Sequence, residues 1–285
     1  MSSVIKIENL THIYSTGTPF QVTSLDSISL DIEKGVFFAI IGATGSGKST
    51  LVQHFNGLLT PTSGKVVVCD IDTADKKRRR NLWRRVGLVF QQPEQQLFEE
   101  TVFDDVAFGP RNMGLDKGEV TARVNEALCL VGLDPLEAAG MSPFRLSGGM
   151  RRKAAIAGVL ALKPEVLVLD EPTSGLDPQG RRLLMDLIEE FRHITGVTII
   201  LVTHDMEEVA LMAEQVAVLD KGRLIMEGKP REIFNRGDEL SSIGLSVPAP
   251  AVLMRKLRAL GKMVRTDVLT TAEAEEEIAR LLLED

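Results

Sequence analysis

A glycine-rich stretch between a short apolar run and a helical pattern constrains this chain most. It reads Gly-Ala-Thr-Gly-Ser-Gly-Lys-Ser-Thr over residues 42–50, after apolar Val36–Ile41 and overlapping a helical pattern over Ser49–Leu58. A buried strand, a glycine loop and a helix in this order form a P-loop, in which backbone N–H groups and the helix N-terminus face phosphate. The alternative, an ordinary glycine-rich turn, does not require the flanking strand and helix.

Each residue type in this loop has a chemical reason. Glycines let the backbone fold around phosphate groups, while Lys48 brings a cation to the β- and γ-phosphates. The Ser49 hydroxyl is an oxygen ligand of the kind that Mg²⁺ prefers. The predicted nucleotide-binding residues of the loop are Gly42, Thr44, Gly45, Ser46, Gly47, Lys48, Ser49 and Thr50.

Two carboxylates end a second apolar run, Val166–Leu169. We expect Asp170 to hold Mg²⁺, through water, and Glu171 to polarise the attacking water. A general base of this kind typically contributes about 10²–10⁴-fold in rate. An acidic strand end without function is the alternative, and the P-loop earlier in the chain argues against it.

Short apolar runs alternate with helical patterns along the chain, which is typical of an α/β domain with a mainly parallel sheet. Two runs near the start alternate apolar and polar residues and predict antiparallel strands, Val4–Leu10 and Leu25–Ile32. The other predicted strands are Val36–Ile41, Val86–Phe90, Val166–Leu169, Val197–Val202, Val216–Asp220 and Leu224–Glu227. The predicted helices are Ser49–Leu58, Lys117–Val131, Gly149–Ala161, Gln179–His193 and Met206–Ala213.

A change in composition near Ser246–Pro250 predicts a domain boundary, which divides the chain into residues 1–246 and 247–285. Two helices are expected in the second part, Ala251–Leu260 and Ala272–Leu283. Their apolar face is too small for a stable separate domain, so we expect a dimerisation appendage that packs on a second subunit. A cap on its own domain is the alternative.

Charge and cysteine usage exclude several classes of protein. The net charge of −7 argues against a general nucleic-acid binder, and the basic run Lys76–Arg80 is interpreted as a solvated helix face, with lipid headgroups or an acidic partner as alternatives. Cys69 and Cys129 lie in no metal-binding or disulfide pattern. The apolar run Val36–Ile41 is far shorter than the roughly 20 residues that cross a bilayer, so a membrane role must come from a partner.

A Leu-Ser-Gly-Gly-Met sequence over residues 146–150 stands just before a helical pattern. A serine and two glycines at a helix start offer a hydroxyl and bare N–H groups to phosphate. With residues 170–177 (Asp-Glu-Pro-Thr-Ser-Gly-Leu-Asp) and His204, the chain up to about residue 235 resembles the ABC family of ATPases. Met150 stands where that family usually has Gln.

The resemblance implies an α/β P-loop NTPase fold: a RecA-like core, an antiparallel β subdomain and a helical signature subdomain, here with a small helical C-terminal appendage. It implies ATP and Mg²⁺ as cofactors. It also implies that Ser147, Gly148 and Gly149 face the γ-phosphate of an ATP bound to the P-loop of a second subunit.

Four further positions take their roles from the resemblance. It implies that Tyr14 stacks on adenine, with Phe20 as a rival, and that Gln91 touches Mg²⁺ and the attacking water. It implies that Asp177 crosses the dimer interface and that His204 contacts the γ-phosphate. The alternatives are a strand-end tyrosine, a solvated glutamine, a helix-initiating aspartate and a core histidine.

Residues 91–98 (Gln-Gln-Pro-Glu-Gln-Gln-Leu-Phe), 104–110 and 155–161 are similar to the energy-coupling factor ATPases, and most to the second of their two paired subunits. This resemblance implies a peripheral subunit at the cytoplasmic face of the cell membrane that drives uptake of a vitamin or metal ion. The implied partners are a second ATPase, a transmembrane scaffold protein and a substrate-binding membrane component, without nucleic acid. Glu94, Phe98, Glu99 and Glu100 are expected to receive a scaffold helix that carries a basic residue; the alternative is that these acids only keep the lobe surface soluble.

Three other functions remain as alternatives. One is the ATPase of another ABC importer or exporter, and another is a soluble ABC ATPase that acts on DNA or ribosomes. The third is a nucleotide sensor without turnover. Glu171, Gln91 and His204 together favour turnover over sensing.

Overall fold

A computed structural model describes residues 2–284 and places their strands in two sheets. The larger has the order β10-β9-β3-β8-β7-β6 and is parallel except for β10, and the smaller is antiparallel with the order β2-β1-β4-β5. The strands are β1 (Ser3–Tyr14), β2 (Val22–Glu33), β3 (Phe37–Gly42), β4 (Ser63–Val68), β5 (Ile71–Asp72), β6 (Val86–Val89), β7 (Val166–Asp170), β8 (Thr198–Val202), β9 (Gln215–Asp220) and β10 (Arg223–Gly228).

Helices cover the larger sheet, and two more form the C-terminal segment. They are α1 (Lys48–Phe55), α2 (Lys76–Arg79), α3 (Val102–Asn112), α4 (Lys117–Leu130), α5 (Pro135–Ala138), α6 (Gly148–Leu160), α7 (Pro178–Thr195), α8 (Met206–Met212), α9 (Pro230–Asn235), α10 (Gly237–Ser242), α11 (Ala249–Ala259) and α12 (Thr271–Glu284). Short 3₁₀ turns occupy Leu82–Arg84, Pro93–Gln96 and Pro143–Arg145.

The larger sheet is covered on both faces, which explains why its strands read as unbroken apolar runs. Successive residues of β7 point to opposite faces. Val166 and Val168 share a core with the antiparallel sheet and α1, whereas Leu167 and Leu169 share one with α4, α6 and α7. The predicted α/β fold, with its antiparallel β subdomain and helical signature subdomain, is confirmed.

The predicted strands and helices are present, with ends shifted by up to four residues. The sequence analysis did not identify β4, β5, α3, α5, α9 and α10. Gly109 and Pro110 lie inside α3 and interrupt its helical pattern, while α9 and α10 have only six residues each. Short elements like these form through packing rather than through their own sequence preference.

The C-terminal helices pack on the same chain. Ala251 of α11 and Leu269 share a hydrophobic core with Met206 and Phe234, and Arg255 donates a hydrogen bond to the Phe234 carbonyl at 2.7 Å. A smaller cluster of Met254, Val264, Val268 and Ala274 joins the two helices to each other. The segment is therefore a cap on its own domain, and its contact with a second subunit stays a prediction.

Candidate functional site

Four neighbouring parallel strands bring the predicted catalytic side chains to one edge of the larger sheet. The P-loop follows β3, His204 follows β8, Glu171 follows β7 and Gln91 follows β6. These strands are adjacent in the order β3-β8-β7-β6. Because the carboxyl ends of parallel strands meet at one edge, residues far apart in the sequence become neighbours.

The P-loop backbone is compact and needs glycine at two points. A Cβ at Gly42 would lie 2.4 Å from a carbonyl oxygen of β9, and Gly47 has φ of +102° with its Cβ position 2.7 Å from another carbonyl oxygen. The Lys48 ammonium donates hydrogen bonds to the carbonyls of Gly42 at 2.7 Å and Ala43 at 3.0 Å. The loop thus holds its cation in place over its own turn.

Burial shifts the pKa of two charged side chains beside the loop, Lys48 and Asp170. Burial lowers the pKa of Lys48, and the nearby carboxylates of Glu171 and Asp170 oppose this. Burial raises the pKa of Asp170, while a hydrogen bond from Ser49 opposes it. The Ser49 hydroxyl lies 3.2 Å from Asp170 Oδ2. A hydroxyl and a carboxylate at this separation suit a hard divalent cation such as Mg²⁺.

The Glu171 carboxylate lies between two other predicted catalytic residues. Gln91 Nε2 donates a hydrogen bond to Glu171 Oε2 at 3.2 Å, and His204 Nδ1 lies 3.1 Å from Oε1. Glu171 has φ of +49°, a left-handed conformation that is uncommon for residues other than glycine. The backbone thus turns sharply at the end of β7 and directs the carboxylate toward its two neighbours.

Tyr14 lies beside the P-loop helix. Its hydroxyl is 3.2 Å from Thr50 Oγ1, and its ring is 40% exposed. Phe20, the rival for the adenine-stacking role, is 81% exposed. The structure thus places Tyr14 against the loop and leaves part of its ring accessible.

The signature turn, residues 146–150, is more open than the P-loop edge. Ser147 caps α6 and accepts a hydrogen bond from the Met150 N–H at 3.3 Å. A Cβ at Gly148 or Gly149 would meet no atom within 4 Å. Within residues 2–284, no hydrogen bond or ion pair joins this turn to the P-loop.

Asp177 also caps a helix, because its carboxylate accepts a hydrogen bond from the Gly180 N–H at 3.0 Å. This is the helix-initiating position that the sequence left as an alternative. The side chain is exposed, so the cap does not by itself exclude a further contact across an interface.

Arg152 is a site residue that sequence reasoning missed. It is 8% exposed and forms an ion pair with Glu94 at 3.1 Å. Its guanidinium also donates to the carbonyls of Pro172 at 3.2 Å and Ser174 at 2.9 Å. Glu94 therefore already has a partner in its own chain, and its contact with a basic residue of the scaffold stays a prediction. A buried arginine on a surface helix leaves no periodic signal in the sequence.

An apolar groove lies beside the Pro93–Gln96 turn. Phe98 and Phe108 are 59% and 46% exposed, and their rings meet edge to face with centroids 5.1 Å apart. Together with Trp83 and Leu97 they line a groove of about 320 Å³.

Four cations of the basic run are exposed, in keeping with a solvated helix face: Lys76, Lys77, Arg78 and Arg80.

Comparison with known proteins decides the family. The ABC transporter family matches residues 25–174. The energy-coupling factor transporter ATP-binding protein EcfA2 of Symbiobacterium thermophilum is 55% identical over 95% of this chain and 93% of that protein. The protein of the same name from Clostridium tetani is 48% identical over 97% of this chain and 96% of its own length. The chain belongs to the energy-coupling factor ATP-binding proteins.

Solved structures agree with the family. CbiO1 of Clostridium perfringens, part of the ABC transporter complex CbiONQ, has a TM-score of 0.76 and 36% identity, covering 92% of this chain and 100% of that one. A dimeric ATP-binding cassette in a post-hydrolysis state with ADP and Pi has a TM-score of 0.70 and 30% identity, covering 79% of this chain and 98% of that one.

Membership of the family makes the chain an ATP-binding subunit whose ATP hydrolysis is coupled to transport. No helix within residues 2–284 combines the length and apolar character needed to span a membrane.

Proposed function

We propose that this chain hydrolyses MgATP to drive uptake of a vitamin or metal-ion micronutrient by an energy-coupling factor transporter. The observation that carries the proposal is the Glu171 carboxylate held between Gln91 and His204 at the P-loop edge. The names of the relatives support the transporter class. Among the alternatives, a sensor without turnover does not need this arrangement.

The proposed chemistry follows from the contacts. Lys48 binds the β- and γ-phosphates, while Ser49, Asp170 and Gln91 would hold Mg²⁺. The Gln91 side-chain nitrogen donates to Glu171, so its amide oxygen would be the metal ligand. The ion, when bound, neutralises charge on the phosphate oxygens. Glu171 accepts the proton of the attacking water. His204, whose Nδ1 lies 3.1 Å from Glu171 Oε1, is proposed to contact the γ-phosphate.

The second half of each ATP site is proposed to come from a partner ATPase. Ser147, Gly148 and Gly149 are exposed with open space around the glycines, which suits close approach of a phosphate. The dimeric form of a related cassette supports such an assembly. Asp177, exposed at the start of α7, is proposed to reach across the same interface.

We propose that the chain lies peripherally at the cytoplasmic face of the cell membrane and that its apolar groove receives a helix of a membrane scaffold protein. Replacing Phe98 and Phe108 together by Ala should abolish assembly or uptake while ATP binding by the isolated chain is unchanged, because neither ring touches the P-loop edge. Leu136→Ala removes a still more exposed apolar side chain elsewhere in the helical lobe and is the control. Full uptake by the double variant would exclude this groove as the docking point.

The division into residues 1–246 and 247–285 is likewise proposed, with the second part as a cap whose outer face meets a partner. Leu260, Leu282 and Leu283 are 79%, 71% and 88% exposed, which supports an apolar contact there. Replacing Leu282 and Leu283 by Ser should weaken nucleotide-free association measured by light scattering. An unchanged assembly state would contradict the contact.

The direct test of the proposed function is to isolate the chain from membranes with its partners and to measure steady-state ATP hydrolysis and substrate uptake. We expect a second ATPase and membrane proteins to accompany it, and uptake to require ATP. A chain that binds ATP without turnover in this complex would favour the sensor instead. Association with ribosomes or DNA would favour the soluble class.

A further inference from the structure

Two aromatic rings lie on one face of β1, beside the P-loop helix. His12 and Tyr14 are two residues apart on this strand, a spacing that places side chains on the same side. Their rings meet edge to face, with centroids 4.5 Å apart and an interplanar angle of 71°. His12 is 8% exposed, whereas Tyr14 is 40% exposed. The accessible Tyr14 ring therefore packs on a buried one.

The His12 ring is itself fixed to the segment that leads from α1 to β4. Its Nδ1 lies 3.2 Å from the Thr60 carbonyl oxygen. The neighbouring Ile13 N–H donates a hydrogen bond to Thr62 Oγ1 at 3.0 Å, and the Thr62 N–H donates to the Thr11 carbonyl at 2.9 Å. The end of β1 is thus attached to the chain just beyond the P-loop helix.

The Tyr14 hydroxyl is fixed at the other end of its ring. It lies 3.2 Å from Thr50 Oγ1, which in turn lies 2.8 Å from Ser24 Oγ. Thr50 belongs to α1, two residues after Lys48. One contact at the ring and one at the hydroxyl therefore set the orientation of Tyr14 relative to the P-loop.

We propose that His12 is a positioning residue that holds the Tyr14 ring in the orientation in which it stacks on the adenine of bound ATP. This rests on the proposed function, in which the P-loop binds MgATP, and on the adenine-stacking role that the family resemblance implies for Tyr14. His12 acts through the Tyr14 ring and not on the nucleotide. A partly exposed ring without this contact would spend less time in the stacking orientation, and the apparent ATP affinity would fall by the same fraction.

A comparison of two ligands isolates the contribution of adenine. MgATP uses both the P-loop and Tyr14, whereas inorganic triphosphate with Mg²⁺ uses the P-loop alone, so the ratio of the two affinities reports on Tyr14. In calorimetry on the full chain, His12→Ala should weaken MgATP binding roughly twofold to tenfold, the range expected for loss of an edge-to-face ring pair. Triphosphate binding should be unchanged.

Two further variants control this measurement. His12→Phe keeps an aromatic ring beside Tyr14 and should restore most of the ATP affinity. His193→Ala removes an exposed histidine from α7 and should leave both affinities unchanged.

A double-mutant cycle tests whether His12 acts through Tyr14. Tyr14→Ala should lower MgATP affinity at least as much as His12→Ala, and His12→Ala should then have no further effect in the Tyr14→Ala background. Tyr14 is the only tyrosine of the chain, so isotope-labelled tyrosine gives NMR ring signals from this residue alone. These signals should move in His12→Ala before nucleotide is added and stay in place in His193→Ala.

The outcomes separate the inference from the function on which it rests. Should His12→Ala fail to fold, His12→Asn, which removes the ring but keeps a donor for the Thr60 carbonyl, takes its place. Wild-type ATP affinity in either variant, equal losses for ATP and triphosphate, or additive costs in the cycle would overturn the inference alone. An unchanged ratio of affinities in Tyr14→Ala would overturn the adenine-stacking role as well. Failure of the wild-type chain to bind either ligand would contradict the proposed function itself.

Discussion

The P-loop edge and the signature turn, both proposed to face phosphate, are built in opposite ways. At the P-loop edge, Lys48, Asp170 and Glu171 are partly buried and contact their neighbours in the same chain. At the signature turn, Gly148 and Gly149 are exposed, and open space surrounds a Cβ placed on either. The difference indicates that one chain carries a nearly complete half of an ATP site at its P-loop edge. Its signature turn is separate from that edge and open.

Electrostatics explains why the two regions differ. Charged groups at the P-loop edge are arranged before ATP arrives, so that binding need not reorganise them. The signature turn offers N–H groups and a hydroxyl but buries no charge of its own. We therefore propose that it contributes only when a second subunit brings a phosphate to it.

The largest expected effect is at the centre of the P-loop edge. Glu171→Gln should bind MgATP but hydrolyse it at least about a hundredfold more slowly, because the amide cannot accept the proton of water. Steady-state hydrolysis by the transporter complex is the measurement, with nucleotide binding as its control. Near-normal turnover would move the role of base to another residue, with Gln91 and His204 the next to examine.

Next in size is the loss of the P-loop cation. Lys48→Ala should weaken ATP binding roughly thirtyfold or more, since truncating one member of a buried charge pair typically costs about 2–5 kcal/mol. Calorimetry on the isolated chain provides the affinity. An unchanged affinity would contradict the assignment of residues 42–50 as the P-loop.

A smaller effect is expected at Asp177, which lies between the two regions. Asp177→Ala removes the cap of α7 and should cost about 1 kcal/mol of stability, whereas Asp177→Asn keeps a capping oxygen. If Asp177 also crosses the interface, Asp177→Asn should retain the melting temperature and still lower turnover severalfold. Equal turnover in Asp177→Asn and the wild type would leave only the capping role.

The prediction with the least effect on activity at neutral pH is confined to acid pH and concerns stability at the P-loop helix. Burial lowers the pKa of His54 from 6.5 to about 4, and its Nδ1 donates to the Thr50 carbonyl at 2.8 Å. The unfolded chain therefore binds the proton more readily, and stability falls as pH drops from about 6.5 toward 4, by at most about 3 kcal/mol. His54→Asn should flatten this part of the stability profile in denaturant titrations.

The control for this pH effect is His193→Asn, which removes an exposed histidine and should leave the profile as it is. A profile that His54→Asn does not alter would show that other groups control acid stability. At neutral pH neither variant should change ATP binding, since His54 is already uncharged there.

The residues of the P-loop edge could be predicted from the sequence because each of them follows a buried strand. The order of the strands in the sheet then places these residues next to one another. Arg152 escaped prediction because its importance lies in contacts between segments distant in sequence, such as its ion pair with Glu94. The same holds for the packing of α11 on Met206 and Phe234. Periodicity reports which face of an element is buried, but not which neighbour buries it.

The central claim is that the signature turn serves an ATP molecule held by another subunit. The most direct measurement compares ATP affinity of the isolated chain with turnover of the assembled complex for Gly149→Leu, whose side chain would occupy open space. We predict wild-type ATP affinity in the isolated variant and loss of turnover in the complex. Lys48→Ala, in contrast, should already lose ATP affinity in the isolated chain. A loss of affinity in the isolated chain matching that of Lys48→Ala would contradict the claim, because the two regions would then form one site in one chain.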